Sequence, residues 1–256
     1  MDTQTIEPRF EHGLIAARLT EARAELAALT EGRAPVKLTA VTKTVPVDVI
    51  NYTIDELGID CIGENRVQEL LEKYDSLHQP KGGKLEIHLI GSLQTNKVKY
   101  IIDKVDMIES LDSLKLAAEI DRQAKKHGRI MDVLIEVNIG REPQKGGVLP
   151  EELYSFIDSL APFDSLRLRG LMTIAPKSDK KEDYLKYFSE TYQYYLDISK
   201  KNPHNICRDF DTLSMGMSDS YREAVSAGAT EVRLGSSIFG RRRPHGISDP
   251  AGIPNN

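Results

Sequence analysis

The residue with the most specific chemistry in this 256-residue chain is Lys43. It closes the stretch Lys37-Leu38-Thr39-Ala40-Val41-Thr42-Lys43-Thr44, whose apolar and threonine residues fit a buried strand. Val45-Pro46 then stops the ladder and starts a helix, because proline lacks an amide donor yet suits a first helical turn. A primary amine at such a mouth is either a solvated end residue or a nucleophile toward carbonyls. Two later segments bear on the choice. Ser214-Met215-Gly216-Met217-Ser218 and Leu234-Gly235-Ser236-Ser237 set small residues at strand ends, where free amides and a helix dipole favour an anion. Their plainer reading is tight turns and helix caps. A lysine facing an anion site suits an aldehyde or ketone that forms a Schiff base while its phosphate is held opposite.

The elements that must position these groups follow from periodicity. Ile15, Leu19, Ala22, Leu26 and Leu29 recur at three- and four-residue steps, predicting an amphipathic helix over Arg9 to Leu29 that precedes the first strand. Helices are expected over Val47 to Leu57, Asn65 to Leu77, Gly91 to Lys104, Asp112 (as cap) to His127, Pro150 to Leu160, Asp179 to Lys201 and Ser220 to Ala227. Between them lie strands over Ile59 to Glu64, Leu85 to Ile90, Met107 to Leu111, Met131 to Asn138, Leu166 to Ala175, Thr212 to Ser218 and Glu231 to Phe239. The tyrosines between Asp179 and Lys201 read as packing.

About eight strands alternating with helices is the order of a parallel sheet and, at this length, of a single closed (β/α)8 TIM barrel with an extra N-terminal helix. The barrel is expected over about residues 36–240 of one domain, with 241–256 as a loose tail. An open doubly wound sheet fits less well, since no Gly-x-Gly-x-x-Gly follows the first strand. In a barrel the site lies at the C-terminal strand ends. The residues found there are Lys43, Asn65, His88, Asn138, Met172-Thr173, Ser214 to Ser218 and Arg233 to Ser236. Several have plainer readings: His88 as a core histidine, Asn65 as a helix cap, Met172 as a pocket wall, and Lys97, after Gln94 and Asn96, as a solvated charge.

Composition narrows the class. Apolar residues make up 40% of the chain and the net charge is -5, so a large core is expected and general nucleic-acid binding is not. The run Arg241-Arg242-Arg243 reads as a solvated tail or a local phosphate contact. No apolar run approaches the roughly 18 residues of a membrane span, and no signal peptide is expected from the start of the chain. Cys61 and Cys207 have neither disulfide-framework nor metal-ligand spacing. A reduced, cytoplasmic protein without a bound metal is expected.

Two classes meet the Schiff-base requirement: a pyridoxal phosphate protein, and an aldolase acting on a sugar phosphate. Arg233 favours the first, because an arginine beside the anion loop can donate to a pyridine nitrogen. At these residues the chain resembles the pyridoxal phosphate homeostasis proteins, which are similar to the barrel domain of alanine racemases. The resemblance runs from roughly Lys37 to Gly240. Val41-Thr42-Lys43-Thr44, Gly63-Glu64-Asn65-Arg66-Val67-Gln68-Glu69 and His88-Leu89-Ile90-Gly91-Ser92-Leu93-Gln94-Thr95-Asn96-Lys97 carry its first half. Val137-Asn138-Ile139 with Glu142, Lys145 and Gly147, Gly170-Leu171-Met172-Thr173, Leu213 to Ser218 and Val232 to Ser236 carry the rest.

The resemblance implies that Lys43 holds pyridoxal phosphate as a Schiff base. It implies that Ser214, Ser218, Gly235 and Ser236 hold the phosphate beside Met215, and that Arg233 meets the ring nitrogen. It further implies cofactor supply, a balancing effect on amino-acid and keto-acid pools, cofactor-dependent apoenzymes as transient acceptors, and no established turnover. Ser220 stands where the family commonly has aspartate, and serine also suits a helix cap. An amino-acid racemase is the alternative, but it needs a second base opposite the lysine. In alanine racemases an added β domain brings that base, and the barrel consumes nearly this whole chain; a monomer is therefore expected.

Overall fold

Strands whose two faces are both covered must be apolar outward, toward helices, and close-packed inward, and that requirement fixes the architecture here. The computed structural model describes residues 10–201 and 209–241. Eight strands pair in parallel and close in chain order: β1 (Lys37–Val41), β2 (Cys61–Glu64), β3 (Glu86–Leu89), β4 (Met107–Leu111), β5 (Met131–Val137), β6 (Leu166–Thr173), β7 (Thr212–Met217) and β8 (Glu231–Leu234). Around them run α1 (His12–Leu29), α2 (Val47–Asp55), α3 (Val67–Tyr74), α4 (Leu114–Lys126), α5 (Leu153–Ser159), α6 (Lys181–Lys201), α7 (Tyr221–Ser226) and α8 (Ser236–Phe239). The expected TIM barrel with an additional leading helix is the observed fold. Among the described residues no helix is long and apolar enough to cross a membrane.

Several boundaries differ from the sequence expectation. The segment Glu231 to Phe239 is not one strand: β8 stops at Leu234, and Gly235 opens the short helix α8. Thr95–Tyr100 forms a 3-10 turn rather than an α-helix, and Ser113, not Asp112, caps α4 by accepting a bond from the Leu116 amide. Arg9, Cys207, Arg242, Arg243 and the tail 244–256 lie outside the described residues. Arg241 is exposed, 3.8 Å from Asp219.

The buried face of α1, through Ile15, Leu19, Ala22 and Leu26, packs over α7 and α8, covering the seam where β8 meets β1. Glu25 of α1 is tied there to Tyr221 and Arg222 of α7. Outward strand residues such as Ala40, Ile62, Val133, Leu171, Leu213 and Val232 join the helices in one continuous core. The interior is divided. On the β4–β6 side Met107, Leu134 and Met172 form a separate apolar cluster packed by Ile174. The rest of the interior is polar, with His88, Glu109, Ser214, Glu231 and Arg233 all buried. Burial acts to raise the Glu231 carboxyl, but His88 beside it, then Lys37 and the Thr39 hydroxyl, hold it well below its ordinary value of 4.5.

Two outcomes follow from this packing. A Cβ at Gly170 would lie 1.6 Å from the Thr212 carbonyl oxygen on β7, so Gly170→Ala is expected to destabilise the chain by at least about 1–3 kcal/mol. Thermal denaturation reads this directly, and an unchanged midpoint would contradict it. A carboxyl whose pKa is lower folded than unfolded contributes stability that is full above the unfolded value and is lost as pH falls toward the folded one. The advantage of the wild-type chain over Glu231→Gln should therefore shrink as pH drops from about 6 to about 3 in urea unfolding. A gap that stays constant over that range would show that Glu231 is not held ionised.

Candidate functional site

The C-terminal strand ends open into a cavity of about 350 Å³. Lys43, Asn65, Ser218, Arg233, Gly235 and Ser236 line it, together with apolar walls from Val41, Val45, Ile90, Ile174 and Phe239. Lys43, Asn65, Arg233 and residues of both glycine and serine segments, all collected from the sequence, thus converge on one space.

Lys43 sits at the corner of a tight turn, in which the Val45 amide bonds the Thr42 carbonyl at 3.0 Å. Thr44 takes φ 60°, a left-handed conformation that is uncommon for a threonine and requires external support. Helix α3 supplies it from both sides of Lys43. The Lys73 ammonium donates to the Thr42 carbonyl at 2.9 Å, and the Glu69 carboxylate accepts from the Thr44 amide. Lys73 also bridges Glu69 (2.6 Å) and the buried Glu64 (2.9 Å), and the Thr42 hydroxyl donates to Glu64 at 2.7 Å. Burial holds the Glu64 carboxyl above its usual range against the opposing effects of Lys73 and Thr42. This cluster was not foreseen from the sequence, although Glu69 and Lys73 stand one helical turn apart and Glu69 falls inside a quoted motif.

Across the cavity, the loops after β7 and β8 are clasped by one hydroxyl. The Ser218 Oγ accepts from the amides of Ser237 (3.0 Å) and Gly235 (3.3 Å). Gly216 makes the approach possible: at φ 93° its missing Cβ would lie 2.5 Å from the Ala224 Cβ and 2.9 Å from the Tyr221 Cα. Ser220 precedes α7 but turns its hydroxyl back to accept from the Met217 amide at 3.2 Å, so the expected helix cap is replaced by a loop brace. The Asn65 Oδ1 is buried and has no hydrogen-bond partner among the described residues, an acceptor left for a ligand donor. Gly91 lets the chain after β3 pass beneath it, since a Cβ there would lie 2.3 Å from the Asn65 carbonyl oxygen. Arg233, buried at the cavity floor, donates to the Ser214 Oγ at 2.6 Å and to the Thr173 carbonyl at 2.9 Å.

His88, Ser214, Met215, Met172 and Asn138, also collected from the sequence, lie elsewhere. His88 is fully buried in mid-barrel, with Glu109 at 2.8 Å and Glu231 at 3.2 Å from its Nδ1, because its side chain faces inward below the strand end. Ser214 lies under Arg233 rather than in the lining, while Met215, one residue on, faces outward into the helical core. Met172 belongs to the interior apolar cluster, and only its neighbour Ile174 reaches the cavity. Asn138 spends its amide on the following loop, donating to the Glu142 carbonyl (3.0 Å) and accepting from the Glu142 amide (3.1 Å). Gln94 and Asn96 are exposed, and neither they nor Lys97 line the cavity. Met217, inside the glycine and serine segment at the end of β7, and Asp219, which no sequence signal marks, line it as well.

The arrangement offers an amine nucleophile on a braced turn, a permanently charged donor on the floor, and two clasped loops rich in small residues. Comparisons with known proteins agree with that geometry. The family model for the alanine racemase N-terminal domain matches residues 17–243. A pyridoxal phosphate homeostasis protein of Aquifex aeolicus is 43% identical over 207 residues, covering 81% of this chain and 87% of the relative. One from Escherichia coli K12 is 36% identical over 236 residues, covering 89% and 97%. The structure of PipY from Synechococcus elongatus, solved with PLP bound, superposes with a TM-score of 0.77 at 32% identity, covering 88% of this chain and all of that one. The chain belongs to the pyridoxal phosphate homeostasis protein family, built on the alanine racemase N-terminal-domain barrel.

Proposed function

We propose that this protein binds pyridoxal 5'-phosphate at the C-terminal mouth of its barrel and serves intracellular homeostasis of that cofactor. The observation that carries the reading is the turn at Lys43, braced on both sides by α3 and opening onto the same cavity as Arg233 and the clasped loops. Lys43 would hold the cofactor covalently through its carbonyl carbon. Ser218, Gly235 and Ser236 would receive the phosphate, Arg233 would donate to the ring nitrogen, and the unpaired Asn65 Oδ1 would accept from the cofactor. When bound, the cofactor supplies an electron-withdrawing ring conjugated to an imine, and an arginine rather than an acid at its nitrogen weakens that withdrawal. Such a setting suits holding the cofactor more than extracting protons with it. Asp219 and Met217 are exposed at the rim, which gives a bound cofactor a way out toward apoenzymes as transient acceptors.

The decisive measurement is visible absorbance of the purified chain before and after borohydride reduction, with the modified peptide mapped by mass spectrometry. A yellow band lost on reduction, with a pyridoxyl group on Lys43, is the expected result. A colourless chain that takes up no added cofactor would sink the proposal and bring a sugar-phosphate aldolase forward. In Lys43→Ala the covalent adduct should vanish while weaker, reversible binding persists through the phosphate loops; an undiminished fixed adduct would reassign the lysine.

The brace itself is testable. Glu69→Ala frees the Thr44 amide and should weaken cofactor retention roughly tenfold, the scale of one charged hydrogen bond, while the chain stays folded. Equal titration curves for the variant and the wild type would mean that the turn holds its shape unaided.

A further inference from the structure

Arg233 does not stand alone on the cavity floor. It is the upper end of a chain of buried groups that runs down the barrel interior. Its NH1 donates to the Ser214 Oγ at 2.6 Å, and the Ser214 hydroxyl in turn donates to the Glu109 Oε2 at 2.6 Å. The directions are forced, because a guanidinium can only donate and the serine has a single proton. The second Glu109 oxygen faces the His88 Nδ1 at 2.8 Å, and that nitrogen also lies 3.2 Å from Glu231. Thr39 donates to the same Glu231 oxygen at 2.5 Å. Ser214, Glu109 and His88 are no more than marginally exposed, and Arg233 is 3% exposed. A guanidinium, an imidazole and two carboxylates therefore sit together out of water, and removing one partner would leave another buried polar or charged group uncompensated. Burial acts to lower the His88 imidazole pKa, yet Glu231, then Cys61 and Glu109, hold it well above 6.5.

The spacing has a further consequence. Glu109 lies 3.7 Å from the Arg233 NH1, too far for a direct bond, so the serine transmits its charge. A direct fork-to-fork carboxylate pair would occupy two N–H groups of the guanidinium on one partner. The bridge takes one and the Thr173 carbonyl takes another, and the arginine still lines the cavity.

We infer that Glu109 and His88 are positioning residues for the cofactor ring, acting through Ser214 to fix Arg233 as a stationary charged donor at the cavity floor. This rests on the reading of Arg233 as the ring-nitrogen partner. Neither group touches the cavity; what they govern is where the guanidinium points and how firmly. Glu136, raised by burial and then by Asp112, is a further carboxyl whose pKa Arg233 influences, but no bond joins it to the chain of groups described here.

The test uses the full chain loaded with pyridoxal phosphate, and reads the visible absorbance maximum and the cofactor dissociation constant. Glu109→Gln removes the charge behind Ser214 and replaces one carboxylate acceptor by an amide donor, which weakens the series at that point. The expected result is a displaced maximum and roughly tenfold weaker retention, with Arg233→Gln giving the same direction of change. The double variant should be no worse than Arg233→Gln alone, since Glu109 acts only through the arginine. An unchanged spectrum and affinity in Glu109→Gln, while Arg233→Gln alters both, overturns the inference and leaves the cofactor reading intact. Fully additive losses in the double variant, or an equal displacement in the interior packing variant Met107→Leu, also overturn it. If Arg233→Gln itself changes neither quantity, the ring-nitrogen role fails and this inference falls with it. Should Glu109→Gln not fold, Ser214→Ala, which removes one hydroxyl and no charge, carries the same comparison.

Discussion

The pairing of β1 with β8 is the constraint on which the site depends. Lys37 lies opposite Glu231 and Thr39 opposite Arg233, so the first and last strands meet across nearly the whole described chain. Only after that seam closes does the turn at Lys43 stand beside Gly235, whose absent Cβ would touch Val41 at 3.4 Å. An open sheet of the same strands would leave the amine and the clasped loops at opposite edges. Closure also removes two strand edges that would otherwise invite pairing with other chains. The leading helix α1 belongs to this seam rather than to the eightfold repeat: its buried stripe covers α7 and α8, and Glu25 ties it to Tyr221 and Arg222.

Barrels of this type commonly fill their interior with branched apolar side chains. Here that holds for the β4–β6 side, through Met107, Leu134 and Met172. The rest of the interior, from His88 and Glu109 on β3 and β4 to Glu231 and Arg233 on β8, instead carries charged and polar groups in compensating contacts. Such pairs add little net stability over an apolar filling, but they permit few alternative arrangements, because each misplaced partner strands a charge. A floor of that kind keeps its geometry where a methionine cluster would adapt. The polar half lies under Arg233 and the adaptable half under the apolar wall at Ile174.

The strand order and the mouth were legible in the sequence because both are written as local changes. An apolar run that ends in lysine, or in a glycine and serine cluster, marks a strand end whatever the long-range packing. Lys43, Ser218, Gly235, Ser236, Asn65 and Arg233 were recoverable for that reason. What was not legible is which way the side chains near those ends point. Inward and outward alternate residue by residue, and the ladder shifts register at Ile108/Leu111, Val133/Leu134 and Ser214/Met217. A shift of one residue moves a side chain from the cavity to the helical layer. Met215 falls on the outer side of that division, whereas Ser214 and His88 face inward but below the lining. The end of β8 lies before the expected one because the apolar pair Ile238-Phe239 extends the run after Leu234, and the bond from the Phe239 amide to the Gly235 carbonyl that turns the segment into a helix has no local signature.

One strand serves both supports of the site. Along β1 and its exit, Thr39 faces inward and bonds Glu231, while Thr42 faces outward and bonds Glu64. The same β-branched residue type, three positions apart and on opposite sides of the sheet, thus ties β1 to the interior charges at Glu231 and the lysine turn to the α3 cluster at Glu64. The two supports are separated by the sheet itself, and among the described residues no hydrogen bond or ion pair connects Glu64, Glu69 or Lys73 with Glu109, His88 or Glu231. The turn at Lys43 is therefore held through the backbone of its neighbours Thr42 and Thr44, whereas Arg233 is held through its side chain. That division matches the chemistry each would perform. For the roles proposed above, the braced turn gives the amine a fixed origin, and the twice-bonded guanidinium gives the ring-nitrogen donor a fixed tip.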